Sequence, residues 1–203
     1  AFTHLDWTTY YETLPADKID LALQLEADRM VNTIYNAAEV ESERNVILAE
    51  LEGNENEPLF RLGEAIQSAA FPEHPYGHEV IGTREDLLNL QKDNIYNHYR
   101  KYYTPANALI AVAGDFDTND MLERLEAQFG SLTGGPAPEP PALPAVVQEQ
   151  EKHIEITGPG DTTFLQISYL SPAANTPDFF AFSVLDSLLS GPTSLNMFGG
   201  GGI

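Results

Sequence analysis

The segment that decides the fold spans residues 43–50 and reads Glu43-Arg44-Asn45-Val46-Ile47-Leu48-Ala49-Glu50. It lies in a helix that the spacing of apolar residues predicts over about 40–51. Because seven residues make almost two helical turns, Glu43 and Glu50 differ by only about 20° in direction. Val46 and Ile47 flank the same line, so both carboxylates lie within the apolar stripe of this helix.

The position of Glu43 and Glu50 on this stripe requires an explanation. A carboxylate on a buried surface is costly unless it is paired with a cation, hydrogen-bonded or bound to a metal. One interpretation is an ion pair with a Lys or Arg from elsewhere in the chain. The other is a metal-binding or catalytic role. The spacing alone leaves both interpretations open.

Charge and composition argue against several classes of protein. The chain has 203 residues, with 31 acidic and 10 basic side chains and a formal net charge of -21. We expect no nucleic-acid partner and no polybasic contact with anionic lipid, because both need clustered Lys and Arg. The absence of cysteine excludes disulfides and thiolate metal sites. No apolar run approaches the roughly 18 residues that a membrane span needs.

Apolar periodicity and turn residues predict the order of elements along the chain. Residues 1–12 read as extended, and Asp17 is the expected N-cap of the first helix. The predicted helices lie at about 19–34, 40–51, 59–70, 83–90, 92–102, 121–129 and 178–189. The predicted strands lie at 108–113, 153–157 and 163–170.

A stretch rich in Gly and Pro marks the clearest boundary in the chain. It contains Gly134, Gly135, Pro136, Pro138, Pro140, Pro141 and Pro144. This composition predicts a semi-rigid linker over residues 134–147. Helices and a strand precede the linker, and strands and a helix follow it. The order fits two α/β modules, the first without its start and the second without its end.

His74 and His78 have a spacing that suits a zinc pair on a helix. Pro75 and Gly77 lie between them and disfavour a regular helix. The segment also matches neither of the two common zinc-peptidase motifs, H-E-x-x-H and H-x-x-E-H. We therefore expect a structural loop, in which these two histidines do not bind a metal.

Residues 115–126 resemble a calcium-binding loop, and Glu126 falls at its twelfth position. However, Asp120 stands where the loop needs Gly for a sharp turn. An apolar strand also precedes the segment, where an EF-hand needs a helix. The alternative is a strand-to-helix turn, in which Asp117 or Thr118 caps the next helix. An acidic calcium-binding module is therefore a third hypothesis for the chain, which calorimetry with calcium would test.

Several further segments occur in a characteristic order. They lie at 1–10, 43–50, 74–83, 102–115 and 162–191. The second is similar to an E-R-x-V-I-x-x-E helix, the third to H-P-Y-G…I-G, and the fourth to Y-Y-x-P-x-N…V-x-G-D. Taken together, the segments resemble the M16 zinc peptidases, the clan of pitrilysin, insulinase and mitochondrial processing peptidase.

This resemblance implies an α+β fold. Its LuxS/metallohydrolase-like layered unit has a mixed sheet covered by helices on one face. It also implies two repeats, both truncated, with residues 1–133 as the C-terminal portion of the first module. Residues 148–203 correspond to the N-terminal portion of a second, non-catalytic module. The family's H-x-x-E-H motif is absent from the chain, and we expect it upstream of Ala1.

The resemblance also assigns roles to individual residues. Glu50 matches the third zinc ligand, and Glu43 matches the acidic residue that supports the site from close by. Phe2 and Thr3 resemble part of the edge strand that pairs with substrate backbone. The implied parent protein is a zinc endopeptidase, in which zinc-activated water hydrolyses peptide bonds. This chain by itself would be inactive, because the two His ligands and the Glu base are missing.

An alternative within the same family is a non-catalytic subunit that binds a partner or completes a chamber. The expected partners are a peptide or protein substrate, together with a second copy of the chain or a partner M16 subunit. Zinc is the expected cofactor of the intact protein, and we expect none in this chain. The sequence does not fix the compartment, and a bacterial periplasmic or secreted location is the working hypothesis.

Overall fold

The computed structural model describes residues 1–144 and 146–190. They fall into two compact units, one over Ala1–Gly160 and one that begins at Asp161. Residue 145 of the predicted linker and residues 191–203 of the predicted second module lie outside the described residues. The predicted module boundaries remain predictions.

Helices dominate the described residues. The α-helices are α1 (Ile19–Asn32), α2 (Ala37–Glu55), α3 (Pro58–Ala70), α4 (Arg84–Asn89), α5 (Lys92–Tyr102), α6 (Thr118–Phe129) and α7 (Pro177–Ser190). Short 3-10 helices occur at Ala16–Lys18, Pro75–Gly77 and Pro105–Asn107. Every predicted helix is present, and the bounds predicted for α5 are confirmed.

Polar side chains fix several helix starts. The Asn36 side chain accepts from the backbone N–H of Ala38 at the start of α2. Asp117 accepts from Asn119 and Asp120 at the start of α6, which confirms the predicted cap. The cap predicted for α1 is wrong: Asp17 lies inside a 3-10 turn, and α1 begins after Lys18 without a side-chain cap.

The first unit packs its helices in two groups. α1 packs on α6, while α2 contacts both α3 and α4. The buried apolar residues are Ala22, Leu23, Ala27, Leu51, Leu87, Tyr99 and Met121. They come from α1, α2, α4, α5 and α6, so the apolar faces of these helices supply the buried residues of this unit.

The only sheet among the described residues is a two-stranded antiparallel hairpin, β1 (Phe2–Thr3) and β2 (Thr8–Thr9). Phe2 pairs with Thr9 and Thr3 pairs with Thr8. The hydroxyl oxygens of Thr3 and Thr8 also lie 3.1 Å apart. Within the range 1–12 that is predicted to be extended, the strands of this hairpin occupy Phe2–Thr3 and Thr8–Thr9.

The three predicted strands at 108–113, 153–157 and 163–170 do not form. Their apolar side chains face solvent, as Leu109 at 89% exposed and Leu165 at 84% exposed illustrate. A strand needs a neighbour about 4.8 Å away to satisfy its backbone groups, and no described segment provides one. The described residues form a helix-rich unit with one small hairpin, and the expected mixed sheet remains a prediction.

The second unit contains α7, the helix predicted over 178–189. A turn leads into it, in which the Thr176 hydroxyl donates to the Ala173 carbonyl at 2.7 Å. Within the described residues, no helix is both long enough and apolar enough to cross a membrane.

Candidate functional site

An open concavity of about 540 Å³ lies in the first unit. Its lining comes from β1, α2, α3, α4 and the loop between α3 and α4. The lining residues are Thr3, Ile47, Glu50, Asn54, Phe60, Glu79, Val80, Ile81 and Leu87. The concavity therefore combines an apolar wall with two carboxylates, Glu50 and Glu79.

Glu50 reaches this concavity because α2 runs without interruption from Ala37 to Glu55. Glu43 lies on the same helix, as predicted, but it does not line the concavity. Both residues are exposed, and Val46 between them is 58% exposed. The stripe that carries the two carboxylates is therefore an open face in the described structure.

The ion-pair interpretation of Glu43 and Glu50 gains no support. Among the described residues, no Lys, Arg or His forms a salt bridge with either carboxylate. The neighbouring Arg44 pairs instead with Glu41 and donates to the Leu90 carbonyl. Arg44 thus ties α2 to the segment after α4, and Glu43 and Glu50 have no basic partner here.

The hairpin separates the two predicted substrate-binding residues. Thr3 lines the concavity beside Glu50, whereas Phe2 does not. The Phe2 ring packs edge-on against Trp7, with ring centroids 5.3 Å apart. This split follows from the period of two in a strand, which turns successive side chains to opposite faces.

Glu79 is a residue of the concavity that the sequence analysis did not single out. Burial raises the pKa of the Glu79 carboxyl, the nearby Glu64 raises it further, and His78 opposes them. An acidic residue next to the apolar pair Val80 and Ile81 was the available signal. This segment is distant from Glu50 along the chain, so the sequence alone did not predict that Glu79 and Glu50 line the same concavity.

The loop before Glu79 is built around His74. This ring is buried, and its Nδ1 accepts from the Tyr76 backbone N–H at 3.0 Å. His74 therefore caps the 3-10 helix Pro75–Gly77, and the predicted interruption of a regular helix is confirmed. At Gly77 a Cβ would lie 2.4 Å from the Phe71 carbonyl oxygen, so only glycine fits this loop.

The donor set of the described residues does not complete a zinc site. These residues contain no group of three or more His, Cys, Asp or Glu side chains that could hold a metal. A catalytic zinc needs three protein ligands and an open position, and Glu50 by itself does not meet this requirement.

Family comparison accounts for most of the chain. The pattern described as "Insulinase (Peptidase family M16)" matches residues 1–84. The pattern described as "Peptidase M16 inactive domain" matches residues 89–198. The chain belongs to peptidase family M16. This M16 chain thus combines a region typical of the insulinase pattern with a region typical of the inactive domain.

Curated relatives carry zinc-protease names. An uncharacterized zinc protease of Mycobacterium leprae is 29% identical over 207 residues, which cover 98% of this M16 chain and 45% of the relative. An uncharacterized zinc protease of Mycobacterium tuberculosis is 28% identical over 200 residues, covering 98% and 46%. The M16 chain therefore spans about half the length of these relatives.

Two solved structures share the fold of the M16 chain. A protease from Helicobacter pylori matches with a TM-score of 0.56 and 27% identity, over 65% of this chain and 31% of that one. The first half of the periplasmic protease PqqL from Escherichia coli matches with a TM-score of 0.57. That match has 19% identity and covers 64% of this chain and 28% of the other.

Proposed function

We propose that this chain is part of an M16 zinc endopeptidase and that its concavity lies at the substrate-binding face. The observation that carries the proposal is the shared cavity wall of Thr3 and Glu50. The two residues are far apart in sequence, and the family resemblance assigns one to substrate binding and the other to zinc. Their convergence in one cavity is what such an enzyme requires.

Glu50 is the proposed metal ligand of this chain. Its carboxylate has no Lys, Arg or His partner among the described residues and borders an open space. Oxygen ligands of this kind bind zinc at about 2.0–2.2 Å. The remaining ligands would come from outside the described residues, and Glu43 would orient the site from the same open face of α2. Zinc-activated water is the chemistry that the complete site would supply.

The N-terminal hairpin is the proposed substrate edge. β1 pairs with β2 on one side, and no strand among the described residues pairs with its other side. An extended peptide can add to such an edge through backbone hydrogen bonds. Thr3 would then place the peptide along the concavity, and the apolar wall formed by Ile47, Phe60 and Leu87 would contact its side chains.

The finer architecture is also a proposal. The segments at 108–113, 153–157 and 163–170 carry exposed apolar side chains and form no strand in the described structure. We assign each of them as a strand of the layered sheet of its own module, formed when further strands lie beside it. The module boundaries follow the sequence: residues 1–133, the linker 134–147, and residues 148–203.

A non-catalytic M16 subunit is the second candidate. It is favoured by the inactive-domain pattern over residues 89–198. In this role the concavity would bind a partner M16 subunit or a peptide without cleaving it.

The test compares two glutamates of α2 in the longer protein that contains this chain. We expect Glu50→Gln to abolish both stoichiometric zinc and cleavage of a quenched peptide. Glu52→Gln, a matched change on an exposed residue of the same helix, should retain both. Zinc and cleavage that survive Glu50→Gln would overturn the ligand assignment. Parent protein without zinc or cleavage would establish the non-catalytic alternative.

The chain by itself provides a separate check. After dialysis against zinc we expect less than one bound zinc per chain and no cleavage of the same peptide. One carboxylate gives little selectivity for zinc over calcium or magnesium. Stoichiometric zinc with turnover would show that the chain holds a complete site of its own.

A further inference from the structure

A cluster of charged groups lies where the N-terminal segment, residues 1–15, passes over α1. Arg29 Nη1 is 2.7 Å from Glu26 Oε1, one helical turn away, and 3.8 Å from Glu12 Oε1 of the segment. The side chains of Glu12 and Glu26 are only 23% and 26% exposed. One guanidinium therefore faces two largely buried carboxyl groups.

The two carboxyl groups lie close to each other, because the same Arg29 nitrogen is 2.7 Å from Glu26 and 3.8 Å from Glu12. Two neighbouring carboxylates repel each other, and a proton on one of them relieves this repulsion. Burial raises the pKa of Glu26 to about 7, the neighbouring Glu12 adds to this, and Arg29 opposes it. Geometry and charge together indicate one shared proton near neutral pH.

The other groups around the cluster are aromatic. The Arg29 guanidinium lies 4.5 Å from the Tyr10 ring centroid. The Tyr99 hydroxyl of α5 donates to the Arg29 carbonyl at 2.9 Å. Burial raises the pKa of Tyr103, whose hydroxyl lies 2.5 Å from that of Tyr10. Burial raises the pKa of the nearby Tyr35 as well. The Tyr35 and Tyr103 phenols therefore stay neutral at physiological pH.

Other charged groups on the packed elements are engaged elsewhere. Arg124 of α6 pairs with Asp20 near the start of α1, at 2.7 Å. On the N-terminal segment, His4 packs on Trp7, with ring centroids 4.8 Å apart. His4 is the histidine of this segment, so the experiment replaces it to isolate the Glu12–Glu26 pair.

We propose that Glu12, Glu26 and Arg29 form a proton-dependent clasp. It holds residues 1–15 on α1 while one proton is shared between the two carboxyl groups. When that proton leaves, two carboxylates face one guanidinium, and their repulsion loosens the segment. The clasp concerns the attachment of residues 1–15 and does not depend on the function proposed above.

The direction of the effect follows from linkage. The folded state binds more protons than the unfolded state between the ordinary pKa of 4.5 and the raised value of about 7. The clasp is therefore fully closed below about pH 4.5 and weakens as the pH rises through about 7. Above that range its contribution no longer changes with pH.

The test measures backbone hydrogen exchange of residues 8–12 in a His4→Gln background, at about pH 5.5 and about pH 8.5. Rates are corrected for the intrinsic pH dependence of exchange. In this background we expect protection to fall by about threefold to tenfold between the two values. Glu26→Gln, which mimics the protonated side chain, should remove most of this fall.

Glu41→Gln is the matched control, because Glu41 also lies three residues before an arginine on a helix but has no second carboxyl partner. It should leave the pH-dependent fall unchanged. Carbon NMR of the Glu26 carboxyl provides the second measurement, and we expect a midpoint well above 4.5 that Glu12→Gln lowers. Protection that does not change with pH, a fall that persists in Glu26→Gln, or an ordinary Glu26 midpoint would overturn the clasp.

Discussion

Helix α5 and segment 108–113 are near neighbours in the chain and differ in how they are stabilised. α5 spans Lys92–Tyr102 and buries Tyr99, which is 2% exposed. In the segment, Leu109 is 89% exposed and Ile110 is 48% exposed. A helix satisfies its backbone groups internally, whereas a strand needs a partner from elsewhere. The comparison separates local elements, which form in this chain, from elements that require a neighbour.

The largest expected effect tests this contrast with one substitution at two sites. Leu51→Ala should cost about 2–4 kcal/mol in the free energy of unfolding, because Leu51 of α2 is 3% exposed. Leu109→Ala should change it by less than about 0.5 kcal/mol. Urea unfolding followed by circular dichroism measures both. A large cost at Leu109 would mean that the segment is buried against a partner in solution, such as a second copy.

A second contrast compares two glycines. Gly77→Ala should cost about 1–3 kcal/mol, because its Cβ would lie 2.4 Å from the Phe71 carbonyl oxygen. Gly63→Ala should stabilise the protein by up to about 1 kcal/mol, since it lies inside α3 with no atom within 4 Å of the added Cβ. Thermal unfolding distinguishes the two. Equal shifts in Tm would contradict the close approach at Gly77.

The third contrast concerns the capping box of α4 and measures how much local hydrogen bonds at a helix start contribute to stability. The Thr83 hydroxyl accepts from the Asp86 backbone N–H, and the Asp86 side chain accepts from Thr83 in return. Thr83→Ala should cost about 1 kcal/mol in stability. Thr13→Ala, in an exposed stretch, should be close to neutral. If both changes proved equal, the cap would not stabilise α4.

The Asp86 carboxyl makes the stability that this capping box contributes depend on pH. Its hydrogen bonds from Thr83 lower the pKa of the carboxyl below its ordinary value of 3.8. Its contribution is therefore present above pH 3.8 and is lost as the pH falls through the lower, folded value. In Thr83→Ala we expect the Asp86 pKa to rise, as measured by NMR titration. An unchanged pKa would show that Thr83 is not the cause.

The smallest expected effect concerns the open face of α2. Glu43→Gln and Glu50→Gln should each change the free energy of unfolding of this chain by less than about 0.5 kcal/mol, because both residues are exposed and form no salt bridge. Urea unfolding at neutral pH measures the change. A cost above about 1 kcal/mol would reveal a partner for these carboxylates within the chain.

The sequence predicted the elements whose signals are local. The bounds of α5 and the Asp117 cap were readable because hydrogen bonds within one turn decide them. The break between His74 and His78 followed from Pro75 and Gly77. The cap at Asp17 was wrong, because a 3-10 turn precedes α1 and moves its start past that residue. Motif order alone also identified the M16 family.

Tertiary structure decided which distant residues meet. The shared wall of Thr3 and Glu50, and the addition of Glu79 to it, depend on how β1, α2 and the loop after α3 come together. The approach of Glu12 and Glu26 to the same Arg29 depends on the path of residues 1–15 over α1. Such contacts close long loops, and no local pattern encodes their geometry. The sequence also did not predict that segment 108–113 is unpaired. A strand forms hydrogen bonds with a neighbouring strand, and its own residues do not specify whether that neighbour is present.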